Sequence, residues 1–231
     1  MRRLLPVLLL GAILLPGPAA ASPDPLEAVN RRVHAFNLLA QAYALEPLAS
    51  LWRAHVPDAA RQGISQAVGN IGEPLTALSG VAAGEWDLAW HAVARFGLNT
   101  TLGWAGWWDA AAEHGYARRP MAPGDAVCAW GVPSGPYLVL PLLGPSSLRD
   151  AAAALAVNVA LAQGVGSGPV AGYQGADAFL VYDRVQAPLR RLEAESLDPY
   201  ASLRSAWLQR RAARCPSDRD AEEVYTNGPD R

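Results

Sequence analysis

The clearest pattern of apolar and polar positions along the chain is helical. Apolar residues recur at intervals of three and four through residues 26–40 and again through residues 85–98. Such spacing places them on one face of a helix. The first of these faces could rest on a membrane, close a ring of helices, or pack on an ordinary core. No segment shows a convincing alternation typical of strands, so the pattern predicts an all-α fold of short amphipathic helices.

A long uncharged segment rich in glycine and proline lies in the middle of the chain. No residue between Asp125 and Arg149 carries a formal charge. Because proline lacks a backbone N–H and blocks a continuous helix, this segment cannot be a plain transmembrane helix. We predict a stiff, bent, apolar loop, followed by a helix that begins at a capping pair, Ser147 and Asp150. Residues 164–175 are again glycine-rich, and we expect them not to be helical.

Tryptophan is concentrated in one part of the chain. Six of the eight tryptophans fall between residues 86 and 130. Tryptophan favours the bilayer interface, where its ring is buried and its N–H stays hydrated. The alternative is an aromatic-rich core. The candidate membrane-interface residues are Trp86, Trp90, Trp104, Trp107, Trp108 and Trp130.

Composition and the two ends of the chain suggest an exported protein. Residues 1–21 have the features of a signal peptide, residues 22–214 form the predicted helical domain, and residues 215–231 read as a polar, disordered tail. No cysteine precedes Cys128, so we see no lipoprotein attachment site. A disulfide between Cys128 and Cys215 and two independent thiols both remain open. The net charge of −2 gives no reason to expect a nucleic-acid partner.

Catalytic and cofactor motifs are not evident. The four histidines are far apart and lack metal-ligand spacing. Gly166-Ser167-Gly168 lacks the first glycine of a nucleophile elbow, since residue 165 is valine. There is no phosphate loop or dinucleotide fingerprint. We therefore predict a non-enzyme without a cofactor, with a lipid-modifying enzyme as a weaker alternative.

Several segments, taken in order, resemble the MlaA (VacJ) family of outer-membrane proteins. The likeness runs from Asp24 to about Arg211. It is carried by DPLEAVNRRVHAFN at residues 24–37, RFGLNTTLGWAGWWDAA at residues 95–111, GPYLVLPLLGPSSLRD at residues 135–150, and Asp198-Pro199-Tyr200. The third segment is the most specific of these. Two departures are the missing lipoprotein cysteine and the sequence PGDAVCAWG just before the loop.

The resemblance implies a ring-like bundle of helices embedded in the periplasm-facing leaflet of the outer membrane. It implies a passive channel that removes mislocalised phospholipid from the outer leaflet and so maintains lipid asymmetry. The implied partners are phospholipid, a periplasmic lipid carrier of the MlaC type, and a trimeric outer-membrane porin. The alternative is a porin-associated structural protein that does not transport lipid. The candidate channel residues are in the loop: Gly131, Gly135, Pro136, Tyr137, Pro141, Gly144 and Pro145.

Overall fold

The structure is a computed structural model that describes residues 24–215 and residue 218. The predicted signal peptide, residues 1–21, lies outside the described residues. Within them the chain forms helices and one small hairpin. The elements are α1 (Glu27–Ala40), a π-helical segment (Gln41–Leu45), α2 (Glu46–His55), α3 (Asp58–Ile71), α4 (Glu73–Ala83), α5 (Trp86–Thr101), α6 (Ala110–Glu113), α7 (Pro123–Ala129), β1 (Tyr137–Leu140), β2 (Gly144–Ser147), α8 (Leu148–Val165), α9 (Ser167–Glu195) and α10 (Pro199–Arg214).

Six of the helices form a closed circuit of contacts. Helix α3 packs on α5, α5 on α4, and α4 on α7. Helix α7 then packs on α8, α8 on α9, and α9 returns to α3. The prediction of an all-α, ring-like bundle is confirmed. None of the helices in the described part of the chain is both long and apolar enough to cross a bilayer.

Side chains at helix starts explain several boundaries. The Ser147 hydroxyl accepts a hydrogen bond from the Asp150 N–H at 3.2 Å, as the capping pair predicts. The Asp198 carboxylate accepts from the Ala201 N–H at the start of α10, with Pro199 in the first turn. Helix α1 instead begins at Glu27, after Asp24 has accepted a hydrogen bond from the Leu26 N–H.

The glycine-rich residues 164–175 are helical, so the prediction that they would not be is wrong. Helix α8 runs to Val165, and α9 begins two residues later. Gly166, with φ of 95°, absorbs the whole break between the two helices. Helix α9 then packs on both α8 and α3, and this packing outweighs the low intrinsic helix propensity of glycine.

The predicted bent loop contains a two-stranded antiparallel hairpin. Tyr137 lies opposite Ser147, and Leu140 lies opposite Gly144. The outer edge of β1 is bonded to α1: the Asn30 amide donates to the Tyr137 carbonyl at 2.9 Å and accepts from the Val139 N–H at 2.9 Å. One asparagine side chain therefore satisfies both kinds of backbone group on this edge.

A second asparagine continues this arrangement. Asn37 lies two helical turns after Asn30. Its amide donates to the Leu140 carbonyl at 3.0 Å and accepts from the Leu142 N–H at 2.7 Å. Together the two side chains do what a third strand would do, which explains why so short a hairpin is held in place.

The end of the chain is fixed to the domain. Cys128 and Cys215 form a disulfide with their Cα atoms 6.1 Å apart, which settles the alternative that the sequence left open. Asp218 is buried and accepts from Arg149 at 2.9 Å. The predicted disordered tail is therefore wrong for Cys215 and Asp218, and residues 216–217 and 219–231 lie outside the described residues.

Candidate functional site

The described domain buries polar side chains and exposes apolar ones, the reverse of an ordinary soluble protein. On α1, Asn30, His34 and Asn37 are buried, whereas Val29 and Phe36 are more than half exposed. The apolar face of this helix thus points outward, and the alternative that it packs on an ordinary core is wrong for most of its length.

Helix α5 shows the same inversion. Arg95 and Asn99 are each 3% exposed, while Trp86 and Trp90 are each 68% exposed. Small residues, Ala89 and Ala92, complete the buried face. A helix that buries arginine and exposes tryptophan fits an apolar surrounding and a polar interior.

All six tryptophans predicted at the membrane interface are exposed. Their exposed fractions run from 46% for Trp107 to 84% for Trp104. The indole N–H of Trp130 donates to the Ala82 carbonyl at 2.7 Å, and that of Trp108 donates to Glu113 at 2.8 Å. The alternative of an aromatic core is wrong for these residues, and their contact with a bilayer stays a prediction.

A polar cavity lies on the inner side of this arrangement. It measures about 400 Å³ and is bounded by α2, α3, α5 and α9 and by the segment after α6. Leu180 and Trp52 are its main apolar lining residues. The remaining lining residues are Asp58, Arg61, Gln62, Ser65, Gln66, Gly69, Asn70, Arg95, Asn99, Asp109, Arg118, Asp183 and Arg184.

One wall of the cavity is a buried ion-pair network centred on Arg95. The Arg95 Nε–H donates to Glu73 at 2.8 Å, and both of these side chains are 3% exposed. Further donors on Arg95 reach the Tyr116 carbonyl and, at 3.2 Å, the Asp109 carboxylate. Burial by itself raises the pKa of Asp109, but the hydrogen bond and charge of Arg95 lower it below its usual range. Arg95 therefore ties together three separate parts of this wall.

The other arginines of the lining are less fully paired than Arg95. Arg61 bonds to Asp58, whose side chain is largely exposed. Arg118 lies 3.8 Å from Glu73, which already pairs with Arg95. Within the described part of the chain, Arg184 makes no ion pair. Arg61, Arg118 and Arg184 therefore use less of their hydrogen-bonding capacity within the described residues than Arg95 does.

The candidate channel residues of the loop lie elsewhere, and none of them lines this cavity. Tyr137 is buried against Tyr200 and Trp207. Gly131, Gly135 and Gly144 have positive φ, which glycine adopts without strain. The loop thus forms a hairpin beside α1 and α10, and its role in a channel stays a prediction.

Sequence reasoning missed the cavity. Its four arginines come from α3, α5, α9 and the segment after α6, so no spacing along the chain connects them. The only available signal was on α5, where Arg95 and Asn99 share a face opposite the tryptophans.

A metal centre and a nucleophile elbow can each be tested on the described residues. Among them, no group of three or more His, Cys, Asp or Glu side chains is placed to hold a metal ion. Ser167 is an exposed residue in the first turn of α9 and follows Gly166 rather than a strand. This geometry differs from a nucleophile elbow.

Comparison with known proteins gives concordant matches. The sequence model of the MlaA lipoprotein family matches residues 22–214. The chain is 31% identical to the intermembrane phospholipid transport system lipoprotein MlaA of Escherichia coli, over 91% of this chain and 88% of the relative. It is 34% identical to an uncharacterized protein of Rickettsia bellii, over 82% and 76% respectively. A solved structure described as "Structural basis for maintenance of bacterial outer membrane lipid asymmetry" matches with a TM-score of 0.67 and 31% identity, over 86% of this chain and 98% of that chain.

Proposed function

The chain belongs to the MlaA lipoprotein family, and from that premise we propose that it is a passive phospholipid channel of the outer membrane. It lies in the periplasm-facing leaflet, takes up phospholipid that has strayed into the outer leaflet, and releases it toward the periplasm. No bond chemistry is required for this movement, so the protein is not an enzyme.

The inverted polarity of the domain is the observation that carries this proposal. The exposed tryptophans suit the interfacial layer of a membrane, and the exposed aliphatic residues suit its hydrocarbon layer. A polar protein surface of the kind that faces water would be unfavourable there. The arginines, amides and carboxylates of the cavity, among which Asn70, Arg95 and Asn99 are buried, line a space that suits the polar headgroup of a lipid. On this proposal the ring lies within one leaflet, as the resemblance to the family implies.

The partners of the channel rest on the family resemblance. A periplasmic carrier of the MlaC type would receive the lipid, and a trimeric porin would hold the ring in the membrane. Both partners stay predictions, and pull-down of the tagged protein from its native membrane tests them.

The deciding experiment measures outer-leaflet phospholipid in a bacterial strain that lacks its own family member. The strain is complemented with the wild-type chain, with a cavity-filling variant, Ser65→Trp, or with a matched variant, Ala59→Trp. Ser65 lines the cavity, whereas Ala59 is exposed on the same helix and does not. We expect the wild type and Ala59→Trp to lower surface phospholipid, and Ser65→Trp to leave it high.

Two other outcomes would contradict the proposal. If the wild type is stably present in the outer membrane with its own carrier and porin but surface phospholipid stays high, the structural alternative without transport is favoured. If all three proteins lower surface phospholipid equally, lipid does not pass through this cavity. Extraction with carbonate tests the embedding separately, because a peripheral protein leaves the membrane and an embedded ring stays.

A further inference from the structure

We infer that the cavity holds a specific binding site for the phosphate of a phospholipid headgroup, formed by Trp52, Arg61 and Arg184. The inference rests on the proposed function and deepens it, because it names the part of the lipid that the interior recognises. The alternative would be a polar passage that merely tolerates any headgroup. The two alternatives can be distinguished by which hydrogen-bonding groups of the lining have no partner within the protein.

The acceptors of the lining are largely occupied. Asp109 accepts from Arg95, from Asn99 and from the Ala112 N–H. Asp183 accepts from Arg53 at 2.8 Å and from Gln186 at 3.2 Å. The third lining carboxylate, Asp58, bonds to Arg61. All three lining carboxylates therefore already have a cationic partner.

Several donors of the lining are free within the described residues. The indole N–H of Trp52 and the Nε–H of Arg61 are buried from solvent and have no hydrogen-bond partner there. The Arg184 Nε–H donates to the Leu180 carbonyl at 3.2 Å, and this guanidinium makes no ion pair with any described carboxylate. The buried Trp52 and Arg61 donors are unfavourable without an acceptor, and Arg184 is an exposed guanidinium without an ion pair, so these groups favour a ligand that only accepts.

Charge points to the same ligand. Four arginines and three aspartates line the cavity, which leaves a formal excess of one positive charge. Asn70 Oδ1 is the one fully buried side-chain acceptor of the lining without a partner among the described residues, and it is a neutral amide oxygen. A phosphodiester carries one negative charge and several acceptor oxygens, and guanidinium groups bind it with charge-assisted hydrogen bonds.

The site also has a shape that suits a lipid headgroup rather than a whole lipid. A volume of about 400 Å³ accommodates a glycerophosphate group but not two long acyl chains. Trp52 packs edge-on against Phe179, with ring centroids 5.9 Å apart, and both belong to helices that border the cavity. The acyl chains would therefore remain outside the polar lining while the phosphate is held within it.

The test compares two lipids that differ only in the headgroup. Full-length protein in detergent is incubated with dioleoyl phosphatidylglycerol or with dioleoylglycerol, which has the same chains but no phosphate, and bound lipid is counted by native mass spectrometry. We expect the phosphate-bearing lipid to bind at least tenfold more tightly, as charge-assisted hydrogen bonds imply.

Three variants locate the phosphate. Trp52→Phe keeps an aromatic ring and removes only the N–H donor, and the double variant Arg61→Gln/Arg184→Gln removes two charges. We expect affinity for phosphatidylglycerol to fall several-fold in the first and at least tenfold in the second, with dioleoylglycerol binding unchanged. Arg32→Gln, an exposed change on α1, is the control and should match the wild type.

The outcomes separate this inference from the proposed function. Equal binding of the two lipids, or undiminished phosphatidylglycerol binding in the double variant, overturns the phosphate site but leaves a lipid channel possible. Binding of neither lipid by the wild type overturns both. Competition by millimolar inorganic phosphate would show that the phosphate group alone suffices, whereas retention of the lipid against free phosphate would assign the site to the lipid headgroup. Thermal unfolding of each variant confirms that it is folded.

Discussion

Two charge clusters in the same domain differ in how deeply they are buried and in how completely they are paired. The first, here called the C-terminal cluster, consists of Arg149, Arg211, Asp125, Asp150 and Asp218, and it lies beside the disulfide. The second is the lining of the cavity. In the C-terminal cluster Arg149 contacts Asp150 at 3.0 Å and Asp218 at 2.9 Å, with its side chain 2% exposed. Each charge there faces an opposite charge across a packed contact.

The cavity lining contains similar residue types but leaves space and unused donors between them. Arg211 in the C-terminal cluster bonds to Asp125 and, at 3.2 Å, to Asp150, and its Nε lies 3.7 Å from Asp218. Arg184 in the cavity has no such carboxylate among the described residues. A buried charge cluster in which every charge is paired holds helices together. A cluster that surrounds open space and keeps free donors can instead hold a ligand.

The largest expected effect tests the structural role of the C-terminal cluster. Arg149→Met should lower the free energy of unfolding by about 3–5 kcal/mol, because Asp218 and Asp150 would keep buried charges with fewer partners. The measurement is thermal or denaturant unfolding of the detergent-solubilised protein. Arg119→Met is the matched control, since its pair with Asp87 is exposed and contributes at most about 1 kcal/mol. Equal losses in the two variants would contradict the comparison.

A somewhat smaller effect is expected from the disulfide beside the same cluster. The bond joins residues 87 positions apart and links α7 to the residue after α10. Replacing both Cys128 and Cys215 by serine should cost about 2–4 kcal/mol, because the unfolded chain regains the freedom of a long loop. Unfolding of the double variant, compared with that of the reduced wild type, measures this loss. A double variant as stable as the oxidised wild type would show that the ion pairs alone fix the end of the chain.

The fold was predictable from the sequence where local chemistry decides it. Periodicity located α1 and α5, and a capping pair located the start of α8 at Ser147. Periodicity alone does not show which face of α1 is buried. It separates the apolar face from the polar face, but it does not show whether water or lipid surrounds the helix. The structure resolves this by burying Asn30, His34 and Asn37.

Other features depend on residues distant in sequence and were beyond prediction. The hairpin is held by Asn30 and Asn37, which precede it by about a hundred positions. Residues 164–175 are helical because α9 packs on two other helices, and this contact is invisible to local propensity. The arginines of the cavity come from four separate segments of the chain. The sequence alone therefore does not show that these residues lie close together.

The cavity also offers a smaller, pH-dependent test. Asp109→Asn keeps a side chain that can cap α6, but it removes the charge that pairs with Arg95. We expect a loss of about 1 kcal/mol at neutral pH. Because the folded-state pKa of Asp109 is lowered, the wild type has this stabilisation above the usual pKa of 3.8 and loses it as the pH falls further. The free energies of unfolding of the wild type and of Asp109→Asn, measured from pH 7 to pH 3, should therefore converge only below about pH 4. If the difference between them disappears at a higher pH, a group other than Asp109 is responsible.

The smallest effect on stability is expected for a cavity variant that should strongly weaken lipid binding. Arg61→Gln removes one charge from the cavity and breaks an ion pair with Asp58, whose side chain is 94% exposed. Such a pair contributes little, so the free energy of unfolding should change by less than about 1 kcal/mol. Surface phospholipid in the complemented strain should nevertheless rise toward the level without the protein. Arg149→Met should have the opposite pair of effects. It should lower stability strongly, and its loss of lipid removal should be proportional to the loss of folded protein. If Arg61→Gln were strongly destabilising, or if it left lipid removal intact, the cavity would be a structural cluster like the one beside the disulfide.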